Sequence, residues 1–184
     1  MAAQLQLDEA LLAVIDMQGK LLPAISERDS ILNRVELLVR SARILDVPIL
    51  WTEQYPRGIG PTVASIESLI GDAARPIDKL CFGCFGDERA ASAASATGRR
   101  QLVVCGVEAH VCVLQTVLTA LSAGWTVFVA EDAVGSRRNA DRDVSLERMR
   151  QAGAIPTTAE SAIMELLATA AHAKFREILP LIKG

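Results

Sequence analysis

Five short apolar runs, separated by longer stretches whose apolar residues recur at helical spacing, constrain this chain more than any other feature. The runs are residues 11–15 (LLAVI), 47–51 (VPILW), 101–105 (QLVVC), 125–130 (WTVFVA) and 154–156 (AIP). They lack the polar alternation of a strand with one wet face, so they read as strands covered on both sides. Helical patterns occupy residues 31–45, 87–97, 110–123 and 141–152, and Gly98, Gly124 and Gly153 punctuate the chain before the later strands. Strand alternating with helix means parallel strands joined by crossover helices. The expected fold is α/β, a three-layer, doubly wound, Rossmann-like and mainly parallel sheet with helices on both faces, in one domain spanning residues 1–184. Ligands of such sheets bind beyond the carboxyl ends of the strands, where strand order reverses. Residues that follow each strand are therefore the candidates for chemistry.

Composition narrows the partners. Of 184 residues, 51% are apolar and 22% charged, and a chain of that size buries about 70% of the surface its unfolded form exposes. It needs neither a disulfide framework nor a structural metal. A net charge of -3 with no Lys/Arg cluster argues against a nucleic acid or an anionic membrane as partner; a small-molecule substrate fits better. No leader-like segment opens the chain and no apolar run approaches a membrane span, so a cytoplasmic location and four free thiols are expected. Dinucleotide, P-loop and serine-hydrolase motifs are missing, and no cofactor or metal is expected.

Residues 51–75 form the longest stretch without a clear strand or helix pattern, and Pro56, Gly58, Gly60 and Pro61 mark it as an ordered functional loop. Residues 161–184 carry apolar side chains at helical intervals and read as helices packed on the sheet or on another subunit.

Asp16 directly follows the first strand and is the only acidic residue in the segment 11–19. It reads either as a general base or as a cap of the turn; Gln18 points the same way if the strand persists. Cys112 stands just inside the helical stretch that follows QLVVCG. Near a helix N-terminus a sulfur is biased toward thiolate, and free amides from Glu108 to Cys112 could hold an oxyanion, as acyl transfer from a thiol requires. A small buried hydrophobe is the plainer reading of a lone cysteine. Lys79 is either a surface lysine or, if it meets Asp16 and Cys112, the cation that supports a thiolate. Cys81 and Cys84 form a C-x-x-C with no second pair, and His110 and His172 lack ligand spacing, which disfavours zinc and leaves a redox pair as a lesser reading. Cys105 lies inside a strand and packs. Arg137 and Arg138 could bind an anion or lie on a solvated face.

In order along the chain, AVIDMQ, TEQYPRGIGPT, DKLCFGCF, CGVEAHVCVLQT and AEDAVGSR resemble the isochorismatase-like cysteine hydrolases. GVEAHVCV, the loop and the ending HAKFREILPLIK are most similar to the isochorismatase domain-containing group and its bacterial relatives. The resemblance implies a triad of Asp16 as general acid/base, Lys79 as supporting cation and Cys112 as nucleophile. It also implies a cis peptide at Val107–Glu108 and an oxyanion hole from the N–H groups of Glu108 and Cys112. Nicotinamidases of this superfamily bind a metal through Asp and His residues after the second strand, where this chain has Thr52, Glu53 and Gln54; isochorismate-cleaving members lack the cysteine. Ala109 replaces a frequent Thr, and with His110 it alters the expected pocket floor.

A metal-independent hydrolase of a small amide or related acyl substrate follows, with Trp51, Gln54, Tyr55, Phe82 and His110, besides Gln18, as expected pocket walls. Its rivals are an oligomeric binding or scaffold protein and a thiol redox protein. The apolar tail and the family precedent lead us to expect a homo-oligomer, dimer or larger.

Overall fold

A computed structural model describes residues 3–183. The chain runs β1 (Ala10–Ile15), α1 (Arg28–Ile44), β2 (Ile49–Gln54), two short helices α2 (Pro56–Ile59) and α3 (Ala64–Ile70), β3 (Ile77–Lys79), α4 (Glu88–Ala96) and β4 (Gln101–Val107). A π turn (Ala109–Val113) then leads into α5 (Leu114–Ser122), followed by β5 (Thr126–Gly135), α6 (Asn139–Gln151), β6 (Ile155–Thr157), α7 (Ala159–Leu167) and α8 (Phe175–Lys183).

The strands form one sheet in the order β3-β2-β1-β4-β5-β6, with every neighbouring pair parallel. This is the α/β, doubly wound arrangement that the apolar runs require. Alternate residues of a strand face opposite sides, and β1 divides its six buried residues accordingly. Leu12 and Val14 join Val103, Cys105 and Phe128 in a layer with α1, α7 and α8. Leu11, Ala13 and Ile15 join Val104, Val127 and Val129 in a layer with α4, α5 and α6. Both faces are dry, which is why the runs show no polar alternation. Among the described residues, no helix is long and apolar enough to cross a membrane.

Three elements differ from the sequence expectation. The stretch after Trp51 is not one long loop: β2 continues to Gln54, and α2 and α3 follow. The edge strand β3 has only three residues, too few for a periodicity to register. The cysteine-bearing segment begins as a π turn rather than as the first turn of an α-helix; a π turn inserts an extra residue into the helical ladder and is concentrated at functional sites. The tail helices pack on the first layer, with Ile163 and Ile178 fully buried.

From β1 the chain moves outward to β2 and β3, then returns to the other side of β1 as β4. The reversal point is therefore the crevice between the carboxyl ends of β1 and β4.

Candidate active site

Asp16 leaves β1 with a φ of +49°, a left-handed conformation that few residues other than Gly, Asn and Asp adopt readily. The turn is pinned on both sides: the Asp16 N–H donates to the Thr52 carbonyl (3.2 Å) and the Gln18 N–H donates to the Asp16 carbonyl (2.7 Å). Across the crevice, Gly106 has a φ of +116°, and a Cβ there would collide with the backbone of Ile15. Only glycine lets β4 approach β1 this closely. The Val107–Glu108 peptide bond beyond it is cis, as the family resemblance implies.

Four strand ends thus converge. The Lys79 Nζ, fully buried at the end of β3, donates to Asp16 Oδ2 at 2.7 Å, to Gln54 Oε1 at 2.7 Å and to the Phe82 carbonyl at 2.9 Å. Three N–H groups meet three acceptors. The other Asp16 oxygen, Oδ1, accepts from Thr52 Oγ1 at 2.8 Å. The Cys112 thiol reaches Gln54 Oε1 at 3.9 Å and lies close enough to Asp16 to feel both its charge and its hydrogen bonding.

The electrostatics correct one expectation. Burial, and then the negative charge of Asp16, push the Cys112 thiol well above its ordinary range, while Lys79 only partly opposes them. At rest the sulfur keeps its proton, because a second anion beside a buried carboxylate is costly. Burial and Asp16 thus oppose the thiolate that a helix N-terminus would favour. Burial also works against the Lys79 ammonium, but the nearby negative groups, Asp16 first and Cys112 next, outweigh it and raise its pKa above the ordinary 10.5.

The expected walls separate into two sets. Gln54 stands in the site, and Tyr55 and Lys79 border an adjoining cavity of about 380 Å³ whose other walls include Arg57, Leu80, Cys81 and Arg89. Trp51 does not reach it. Its parity in β2 turns it into the opposite layer, where its indole N–H donates to Thr62 Oγ1 at 2.8 Å. Gln18 is fully buried and serves the backbone, with Nε2 donating to the carbonyls of Gln54 and Gly60 and Oε1 accepting from the Gln54 N–H (2.8 Å). Phe82 offers its carbonyl to Lys79 while its ring is half exposed. His110 Nδ1 pairs with Ser136 Oγ at 2.9 Å. These four are not walls of the cavity.

The C-x-x-C is not a pair. Cys81 is exposed and donates to the Gly86 carbonyl, whereas Cys84 is buried beside Thr52 and the lysine; both thiols are free. Burial raises the Cys84 thiol as well, which removes the thiolate that disulfide exchange requires. Arg137 is held by the Glu108 carboxylate at 2.8 Å instead of presenting a free anion site.

Two further residues frame the site and escape the sequence reading. Thr52 orients Asp16, and Thr116 bridges two segments by accepting from the Cys84 N–H (3.0 Å) and donating to the Cys112 carbonyl (2.7 Å). Thr52 carries no signal, since a polar residue after an apolar run looks like the start of a loop. Thr116 carries one, because a helical threonine commonly bonds back to the carbonyl four residues earlier.

Comparison with known proteins now places the chain. The isochorismatase domain model matches residues 9–161. The chain belongs to the isochorismatase family. Isochorismatase domain-containing protein 2A of Mus musculus is 40% identical over 179 residues, covering 96% of this chain and 84% of the relative. The MAR1 ribonuclease structure from Caenorhabditis elegans superimposes with a TM-score of 0.93 at 35% identity over 99% of this chain and 93% of the other. The YcaC gene product of Escherichia coli, described as an octameric hydrolase of unknown specificity, gives a TM-score of 0.89 at 27% identity over 100% of this chain and 98% of its own. This family member keeps its polar constellation at the reversal point of the sheet.

Proposed function

We propose that the 184 residues act as one metal-independent hydrolase domain that cleaves a small amide or related acyl substrate through Asp16, Lys79 and Cys112. The observation that carries this reading is the fully buried Lys79–Asp16 pair at 2.7 Å with the Cys112 thiol in the same enclosure. A carboxylate held beside a protonated thiol is a base waiting for its proton. When the substrate carbonyl is in place, Asp16 takes the Cys112 proton as the sulfur attacks carbon, so no free thiolate accumulates. The developing oxyanion is met by the N–H groups of Glu108, just before the π turn, and of Cys112 within it. Collapse of the tetrahedral adduct breaks the C–N bond, and the leaving amine or ammonia takes the proton from Asp16. Water, deprotonated by the same carboxylate, attacks the thioester; the acid leaves and the sulfur recovers its proton. Lys79 remains charged throughout and holds the Asp16 carboxyl in place by its hydrogen bond.

The same proposal includes a cytoplasmic setting, in which four thiols stay reduced, and a homo-oligomer. Tyr55 and Leu80, which border the cavity, are exposed, and the YcaC relative is itself an octamer. Sedimentation tests the assembly; a monomer at micromolar concentration would remove that part of the proposal.

The chemistry is tested with a panel of small amides and esters, rapid acid quench and intact-mass measurement. We expect an acyl adduct on Cys112, absent in Cys112→Ala, with turnover lost in that variant while its fold is retained. Turnover that survives Cys112→Ala would overturn the reading. The panel includes single-stranded RNA because one structural relative is a ribonuclease; cleavage that depends on Cys112, with no acyl adduct from any ester, would replace acyl transfer by phosphodiester chemistry.

A further inference from the structure

The ammonium of Lys79 spends its three N–H groups on Asp16, Gln54 and the Phe82 carbonyl, so none is left for the sulfur. The group that meets both partners is Gln54. Its Oε1 accepts from Lys79 at 2.7 Å and lies 3.9 Å from the Cys112 sulfur.

The direction of this carboxamide is not free. Its Nε2 donates to the Leu80 carbonyl at 2.9 Å. Turning the amide over would set an NH2 against an ammonium and a carbonyl against a carbonyl, so the network permits one orientation. The backbone is fixed as well, because Gln18 bonds both the N–H and the carbonyl of Gln54. Gln54 is 8% exposed. A buried amide locked at both ends at the mouth of a triad costs conformational freedom that packing alone would not repay.

From this geometry we infer that Gln54 is a positioning residue that stands between Lys79 and Cys112, keeping the ammonium directed at Asp16 and the proton on the resting sulfur. The inference rests on the triad reading above. Gln54 competes for the cation that would otherwise turn toward sulfur, and it accepts from the thiol. Both effects favour the neutral thiol, and both end when a substrate carbonyl takes the sulfur.

The test is the pH profile of Cys112 alkylation by iodoacetamide, read by peptide mass mapping, which needs no known substrate. In Gln54→Met the acceptor is lost, and we expect the midpoint to fall by about one unit, a tenfold rise in alkylation rate on the rising limb. In a Lys79→Met background the same substitution should move the midpoint by less than half as much, because the residue acts mainly through the lysine. Gln54→Glu keeps acceptor oxygens on Lys79 but sets a carboxylate against the sulfur, so its midpoint should rise, with some loss of thermal stability because the donor to the Leu80 carbonyl is gone; it also serves if Lys79→Met does not fold. Equal shifts with and without Lys79, or profiles unchanged in both Gln54 variants, would overturn the inference and leave the triad standing. A profile that ignores Lys79→Met and Asp16→Asn as well would overturn the triad reading with it.

Discussion

Two ion pairs with the same separation sit at opposite halves of the sheet. Lys79 and Asp16, on the β3–β1 side, are 2.7 Å apart with both side chains fully buried; Arg150 and Glu131, on the β5 side, are also 2.7 Å apart, with 41% and 23% of their side chains exposed. Their distance is shared and their consequence is not. In water the attraction of an exposed pair is nearly cancelled by screening and by the entropy of holding two long side chains. Inside the crevice neither charge can recover its hydration, so each requires the other. The β5 side accordingly carries pairs that decorate, such as Arg34–Asp132 and Arg142–Glu27. The β1–β3 side carries one pair on which the surrounding polar groups depend.

Removing one partner from each pair should separate them clearly. Asp16→Ala leaves a buried ammonium without its counter-charge and should destabilise the protein by about 3–5 kcal/mol, measured by urea unfolding at pH 7. The pH sign follows from Lys79. Its folded pKa lies above the ordinary 10.5, so the pair's contribution is fully present below that value and is lost as pH rises through the folded one. In Asp16→Ala burial acts on Lys79 without its main counter-charge and lowers its pKa, so the variant recovers stability as the lysine sheds its proton. The gap between wild type and variant should therefore be widest near neutral pH and narrow toward alkali; a gap that widens in alkali would contradict the assignment.

The neighbouring buried network offers an intermediate case. Thr62 donates to Glu53 and accepts from Trp51. Thr62→Val strands the Trp51 indole N–H, while Glu53 keeps the backbone N–H of residue 62; it should cost about 1–3 kcal/mol with no change in Cys112 alkylation, since neither group faces the sulfur. A changed alkylation profile would mean that the loop after β2 and the triad move together.

Smaller still is the cap of α4. Asp87 accepts from the N–H groups of Arg89 and Ala90. Burial opposes its charge, but Arg89 and those amides together hold its pKa below the ordinary 3.8. Asp87→Ala should cost about 1 kcal/mol at pH 7. That contribution is present above the ordinary carboxylate value and disappears as pH falls through the lower folded one, so wild type and variant should converge in acid. At the bottom of the scale, Arg150→Ala should leave the urea midpoint almost unchanged, with any shift smaller again in concentrated salt.

Much of this contrast is legible in the amino-acid sequence. Apolar runs without alternation specify the parallel sheet and both covered faces, and position after a strand singles out Asp16 and Cys112. Lys79 is visible there only as a possibility, because a three-residue edge strand has no period and its burial depends on β2 beside it. Trp51 reads onto the wrong side for a related reason. An aromatic beside a loop looks like a pocket wall, but strand parity decides its direction, and parity stays hidden while the apolar run alone marks the end of β2. The protonated state of Cys112 is not legible either. A helix N-terminus argues for thiolate by proximity along the chain, whereas the opposing carboxylate comes from the end of β1, far earlier in the sequence.

The reversal of strand order has a consequence for how the protein is made. Asp16 and Lys79 are separated by 63 residues in sequence, and Cys112 arrives only after the chain has built three strands outward and come back. The crevice is thus assembled from contacts far apart in the sequence, which form late because closing long loops must come before any reward. During synthesis, a ribosome-bound chain that has emerged only as far as β3 holds two of the three charged or nucleophilic groups and no crevice to put them in. Under the proposed mechanism, the Cys112 thiol meets Asp16 only after β4 has inserted beside β1.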